Sequence, residues 1–166
     1  MRVSIAPAKG AEREWCARLM ASSEPWTTLG RGLRQSRRVL QDRERDLFVA
    51  HARREPCGFI FVHPHGLAGS PYIATVAVAH SFRGLGIGTR LLRFAEQRYR
   101  RKARHIFLCV SSFNTRAASL YERLGYAVAG ELRDYVVEGA SEILMHKRLD
   151  PGTPLSEAGC CSTSGA

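Results

Sequence analysis

Residues 83 to 88 read Arg-Gly-Leu-Gly-Ile-Gly, at the point where an uncharged run rich in β-branched and small residues gives way to a helical period. A helix that begins on such a turn presents unpaired backbone N–H groups and the positive end of its dipole. Gly84, Gly86 and Gly88 remove the side chains that would keep an anion from those groups, and Arg83 adds a fixed positive charge beside them. The chemistry on offer is the binding of phosphate. Two familiar phosphate turns fit the spacing poorly. An NTPase loop closes on Gly-Lys-Ser/Thr, whereas Gly88-Thr89-Arg90 stands here. The dinucleotide fingerprint needs G-x-G-x-x-G and an acid on the following strand, whereas this chain has G-x-G-x-G and Ile106 to Val110 carries no acid. A turn that serves only close helix packing is the plain alternative.

The elements around this turn follow from periodicity. Val3 to Ala6 reads as a short strand, Glu12 to Ala21 as a helix on Trp15, Cys16, Leu19 and Met20, and Ser22 to Gly32 as a break. Leu33 to Leu40 reads as a second, very basic helix with a thin apolar stripe. Asp46 to Ala52 and Cys57 to His63 form a hairpin whose charged turn is Arg53-Arg54-Glu55-Pro56, and a loop follows from His65 to Pro71. Tyr72 to Ala79 carries no charge, as a strand covered on both faces requires. After the glycine turn comes a helix with Leu91, Leu92, Ala95 and Tyr99 on one side, and then a strand from His105 to Val110. A helix from Thr115 to Leu124 carries Ala117, Leu120, Tyr121 and Leu124 at i, i+3, i+4 and i+7, with Asn114 capping its start and Gly125 its end. Tyr126 to Leu132 and Glu142 to Leu149 close the domain as strands. Residues 1–150 are thus expected to form one domain, and residues 151–166, rich in Pro, Gly, Ser and Thr, a flexible tail.

Bulk properties narrow the function. The chain has 166 residues and is 45% apolar, enough for one sizeable core, and no run approaches the length of a membrane span. With no basic segment leading into an apolar run and cleavage site at the amino terminus, a cytoplasmic protein is expected. Cys16, Cys57, Cys109, Cys160 and Cys161 are odd in number and show no C-x-x-C spacing, so reduced thiols and no metal are expected. The net charge is +10, and Arg83, Arg90, Arg93, Arg98, Arg100, Arg101, Lys102 and Arg104 stand against Glu96 alone between residues 83 and 104. Such a surface attracts phosphates, whether of nucleic acid or of a nucleotide-like ligand, unless it is merely solvated. Aromatic residues do not alternate with this segment, which argues against single-stranded nucleic acid.

Arg83, Gly86 and Gly88 match Arg/Gln-x-x-Gly-x-Gly/Ala, and the segment Asn114 to Tyr126 matches Asn-x-x-Ala-x-x-Leu-Tyr-x-x-x-Gly-Phe/Tyr. With Val76-Ala77-Val78 before them, these blocks resemble the GCN5-related N-acetyltransferases (GNAT), most clearly from Tyr72 to Tyr126. The resemblance implies an α/β (α+β) GNAT fold: a mixed, mostly antiparallel sheet of six to seven strands flanked by about four helices. It implies an acetyl-CoA-dependent N-acetyltransferase that acts on a primary amine of a small molecule, protein or peptide by direct attack. By the same resemblance, the backbone of Val76, Ala77 and Val78 would pair with pantetheine and the thioester carbonyl. Arg83, Gly84, Leu85, Gly86, Ile87, Gly88 and Thr89 would hold the diphosphate of acetyl-CoA, with Asn114 and Ala117 beside the pantetheine arm and Tyr121 near the sulfur.

The chemistry needs the amine neutral and the departing thiolate protonated. Tyr121 is the expected acid, although a core tyrosine would occupy the same helix face. The Val78 N–H is the expected donor to the carbonyl oxygen, through a backbone group indifferent to the side chain. Ribosomal-protein alanine acetyltransferases, which the strand-to-Asn114 segment resembles, often carry a glutamate where Cys109 stands, so the base stays open among Cys109, His80, Glu24, Glu138, Tyr72 and water. Residues 24–29, around Trp26, and residues 134–138, with Tyr135 and Glu138, are the acceptor-site expectations. A non-catalytic acyl-CoA-binding regulatory domain and a basic nucleic-acid-binding module remain the alternatives, the second the weaker. Nothing in the sequence decides the acceptor or the number of chains, a homodimer being one arrangement open to it.

Overall fold

The densest apolar stretches dictate the centre of the sheet. In the computed structural model, which describes residues 1–150, β1 is Val3–Pro7, β2 Asp46–Ala52, β3 Glu55–Leu67 and β4 Ser70–Val78. Each pairs antiparallel with the next. Phe59, Ile60, Phe61 and Val62 of β3 are all fully buried, because helices cover both faces at that point.

The hairpins turn more tightly than the sequence suggests. The chain reverses over Arg53-Arg54 alone, at φ 53° and 68°, so the expected four-residue turn is corrected to two residues. It reverses again over Ala68-Gly69, at φ 48° and 78°, so the expected loop from His65 to Pro71 is largely strand. Two consecutive left-handed residues match the twist of the flanking strands, which is why short hairpins adopt them. Arginine and alanine accept that conformation at a cost of about 1 kcal/mol each, and neither residue type advertises it.

Three helices and three strands complete the frame around α1, Glu12–Ala21: α2 is Leu33–Leu40, α3 Ile87–Tyr99, β5 His105–Ser111, α4 Thr115–Arg123, β6 Ala127–Arg133 and β7 Ser141–Arg148. The seven strands run in the order β1-β2-β3-β4-β5-β7-β6, and every pair is antiparallel except β4 with β5. A parallel pair needs a crossover, which α3 supplies. On one face α1 and α2 pack Cys16, Ala17, Met20 and Leu40 against Phe59, Phe61 and Ala77. On the other, α3 and α4 pack Leu91, Leu92, Ala95, Tyr99 and Tyr121 against Ile60, Ile106, Leu108, Val110 and Met145. The seven strands and four helices agree with the expected architecture. The expected tail, residues 151–166, lies outside the described residues.

One irregularity shapes the molecule. Phe61 pairs with Thr75 but Val62 with Ile73, so Ala74 is an extra residue in β4. A bulge of this kind bends its strand and increases the local twist. β4 pairs with β5 only at Tyr72–Phe107 and Ile73–Leu108, and the ladder ends where the bulge begins. Beyond it the two strands part.

Candidate active site

The parting of β4 and β5 leaves backbone groups facing a gap. The Ala79 N–H donates to the Cys57 carbonyl at 2.9 Å, which puts Ala79 and Ala77 among the residues whose backbone faces β3. By the alternation of a strand, the N–H and C=O of Val76 and Val78 face the opposite way, toward β5. Their side chains pack on the α3 and α4 side. A cavity of about 930 Å³ occupies the gap and runs through the sheet from one face to the other.

At one end the cavity meets the start of α3. A short 3-10 turn, His80–Phe82, leads into Gly84 at φ 80° and Gly86 at φ 76°. Gly86 is the N-cap of α3, and no side chain caps the helix, so the amides of its first turn remain available to an outside acceptor. Gly58 on β3 is what lets this end come so close to the sheet. A Cβ there would stand 2.8 Å from the Ala77 carbonyl oxygen and 3.3 Å from both Ile87 and Leu91. Arg83 reaches back along the gap, its Nε 3.3 Å from the Val78 carbonyl oxygen. Arg83, Gly84, Gly86, Ile87, Gly88 and Thr89 line the cavity, whereas Leu85 points to solvent at 53% exposure and does not.

α4 forms the floor. Asn114 spends its side-chain oxygen as the N-cap, accepting from the Ala117 amide at 3.3 Å. Ala117 and Tyr121 follow on the inner side of the helix and line the cavity. Tyr121 is 8% exposed, its ring centroid 5.9 Å from that of Tyr126. Burial alone pushes its pKa up to about 12, because taking the phenolate out of water is costly.

The opposite mouth lies on the face that carries α1 and α2. Tyr72, Cys109 and Ser111 present themselves there, since their strand neighbours Ile73, Leu108 and Val110 face the other core. Burial raises the Cys109 thiol, and the Tyr72 hydroxyl only partly offsets it. Tyr72 is likewise raised, first by burial and then by Cys109. The 23–31 segment supplies Glu24, Trp26 and Leu29. Glu24 is held by its own loop through the Thr27 hydroxyl and the Thr28 amide, which lower its pKa. Trp26 is both core and wall, at 7% exposure. Tyr135 and Val136 line the rim, whereas Asp134, Val137 and Glu138 do not.

Among the polar lining residues that the sequence did not single out are Ser111 and Glu142. Ser111 pairs with Glu142 across β5 and β7, and its hydroxyl donates to Glu142 Oε1. Ser111 falls one residue past the expected strand end, and only the strand register brings Glu142 to it. Of the base candidates, His80 and Glu138 lie outside the cavity, Glu24 is committed to its loop, and Tyr72 and Cys109 are held neutral by burial.

The arrangement can hold an elongated ligand with an anionic end at α3, a polar chain against β4 and a reactive end beside Tyr121. Residues 11–126 match the acetyltransferase (GNAT) family. An N-alpha-acetyltransferase of Sulfurisphaera tokodaii is 29% identical over 118 residues, which cover 64% of this chain and 71% of that one. A solved GNAT-family protein from Desulfovibrio desulfuricans superposes with a TM-score of 0.76 at 16% identity, over 89% of this chain and 99% of that one. An aminoglycoside 6'-N-acetyltransferase complexed with coenzyme A gives 0.74 at 20% identity, over 91% and 99%.

Proposed function

The chain belongs to the GNAT acetyltransferase family and transfers acetyl from acetyl-CoA to an amine, and from that premise we propose that transfer is direct, across the gap between β4 and β5. The observation that carries this reading is the coincidence of three features along one cavity: an uncapped helix start, an unpaired strand edge and a buried tyrosine. When bound, acetyl-CoA supplies the activated acyl group. Everything else is done by this chain's residues.

The amides at the start of α3 bind the diphosphate, with Arg83 beside them, and Gly84 and Gly86 supply the left-handed backbone that aims those amides outward. Leu85 acts through its backbone alone. The N–H and C=O of Val76 and Val78 extend the sheet onto the pantetheine arm, while Ala77, facing β3, lends only its side chain to the wall. Asn114 holds the start of α4, and Ala117 leaves room beside it. With the diphosphate at the Val78 end of β4 the thioester lies nearer the bulge, so the Val76 N–H, rather than the expected Val78 N–H, is the donor to the carbonyl oxygen as it gains charge. Tyr121 holds its proton at neutral pH and gives it to the departing sulfur.

None of the bases expected from the sequence both faces the cavity and stands free, so the acceptor's proton leaves at the open mouth, where the Glu142 carboxylate and water can take it up. An α-amine with a pKa of about 8 is roughly one-tenth neutral at pH 7, enough to sustain turnover. The test is direct: acetyl-CoA is expected to raise the melting temperature and, with an amine panel, to release free thiol at a rate that climbs with pH through the acceptor's pKa. A melting shift without thiol release from any amine would convert the protein into an acyl-CoA sensor. No shift would remove the cofactor reading altogether.

A further inference from the structure

The cavity's charged side chains divide between its two ends. Arg83, Arg116 and Arg123 belong to the glycine turn and α4, the cofactor end of the proposed function. Glu24, Arg31 and Glu142 line the other mouth. An acceptor that arrives as an ammonium needs a carboxylate, and the two at this mouth are not equivalent. Glu24 is satisfied at both oxygens, Oε1 by the Thr27 hydroxyl and Oε2 by the Thr28 amide. Glu142 takes one donor, the Ser111 hydroxyl at Oε1, and among the described residues no hydrogen bond or ion pair reaches Oε2. Cys109 and Tyr72 stand next to it as neutral groups, and Tyr135 lines the same cavity.

The rim around that single carboxylate is apolar. Phe113, Tyr135 and Val136 line the mouth while 40%, 70% and 38% exposed. Large apolar side chains gathered at an opening are a recognition surface more often than an accident of folding. The acids of the neighbouring strand and turn do not enlarge the anionic site. Glu131 is taken up by Ser141 and Arg133, Asp134 caps Gly139, and neither these nor Glu138 lines the cavity.

We propose that Glu142, positioned by Ser111, is the residue that binds the acceptor's ammonium, and that the acceptor carries one positive charge next to an apolar group. This rests on the acetyl-transfer reading and sharpens it to a substrate class. An amine of this kind occurs at the end of a polypeptide with an apolar first residue and in an arylalkylamine. A polycation such as an aminoglycoside or a polyamine brings several ammonium groups to a mouth that has one open carboxylate and whose lining also includes Arg31.

The experiment uses the full chain, acetyl-CoA and four acceptors: a tripeptide with a free amino-terminal Phe, phenethylamine, spermidine and kanamycin. Thiol release is expected with the tripeptide or phenethylamine, whichever of the two is the true source, at a kcat/KM at least about tenfold above the polycations. Glu142→Gln is expected to lower kcat/KM by about 10- to 100-fold through the acceptor's KM, the size of one charge-assisted hydrogen bond. The acetyl-CoA melting shift should stay as in wild type, and Glu142→Asp should recover part of the loss. Polycations turning over best, no turnover of either apolar amine while acetyl-CoA still binds, or a Glu142→Gln enzyme within about twofold of wild type would each overturn the proposal. Those outcomes leave acetyl-CoA binding intact, so they are distinct from a failure of the proposed function, in which the melting shift itself is missing.

Discussion

Tyr121 is where a single atom decides chemistry. Its hydroxyl keeps its proton until about pH 12, and the cause is burial rather than a charged neighbour. The sign follows: a raised phenol pKa preserves the protonated, proton-donating form through the whole neutral range, and that form is lost only as pH rises through the raised value. Tyr121→Phe keeps the ring against Tyr126 and removes the proton. Steady-state kinetics should show kcat reduced by about 10²-fold or more with acetyl-CoA affinity within about threefold, and the wild type should show no alkaline loss from this group below about pH 10. An undiminished kcat would make Tyr121 a core residue only. The helical period and the Asn114 to Tyr126 block placed this side chain correctly on the inner face of α4. Glu142 was illegible for the opposite reason. Its partner Ser111 lies 31 positions away in sequence, and nothing short of the β5–β7 register joins them.

At the scale of elements, the cleft exists because β4 has one residue too many. Ala74 breaks the register with β3, and β4 stops pairing with β5 at the same point. Deleting Ala74 would set Ile73 against Val62 and Thr75 against Phe61 in one regular ladder, with every flanking side chain still on its present face. The deletion variant is expected to fold, by circular dichroism and cooperative melting, and to lose the acetyl-CoA-dependent melting shift because a straight β4 can pair further along β5. A deletion variant that retains the full shift would separate the bulge from the site. Most elements were legible from periodicity, since α1, α2 and β2 fall where their apolar spacing put them and the other boundaries move by a few residues. The hairpin turns were not, because Arg53-Arg54 and Ala68-Gly69 adopt left-handed backbone with only one glycine among them. The bulge was not legible either. One extra alanine inside a run of apolar residues alters no period that a sequence can display, and its consequence appears only when a third strand is laid beside the second.

For the whole molecule, the +10 charge and the glycine turn belong to one account. Arg83, Arg116 and Arg123 are exposed and line the cavity from the glycine turn and α4, so part of the basic surplus stands at the end assigned to phosphates. Elsewhere it is spent on the surface, as where Arg37 and Arg18 share Glu14 and hold its pKa down to about 2. The most direct test of the central claim is a calorimetric titration of coenzyme A into the intact chain, repeated on the Gly86→Val, Gly88→Val double variant. The left-handed backbone at Gly86 resists valine, and a side chain at Gly88 would project toward Leu120 and Val78 at the cofactor end of the cleft. One coenzyme A per chain should bind the wild type, and the folded double variant should bind at least about tenfold more weakly. A wild type that fails to bind coenzyme A, or a folded double variant that binds it equally well, would contradict the account.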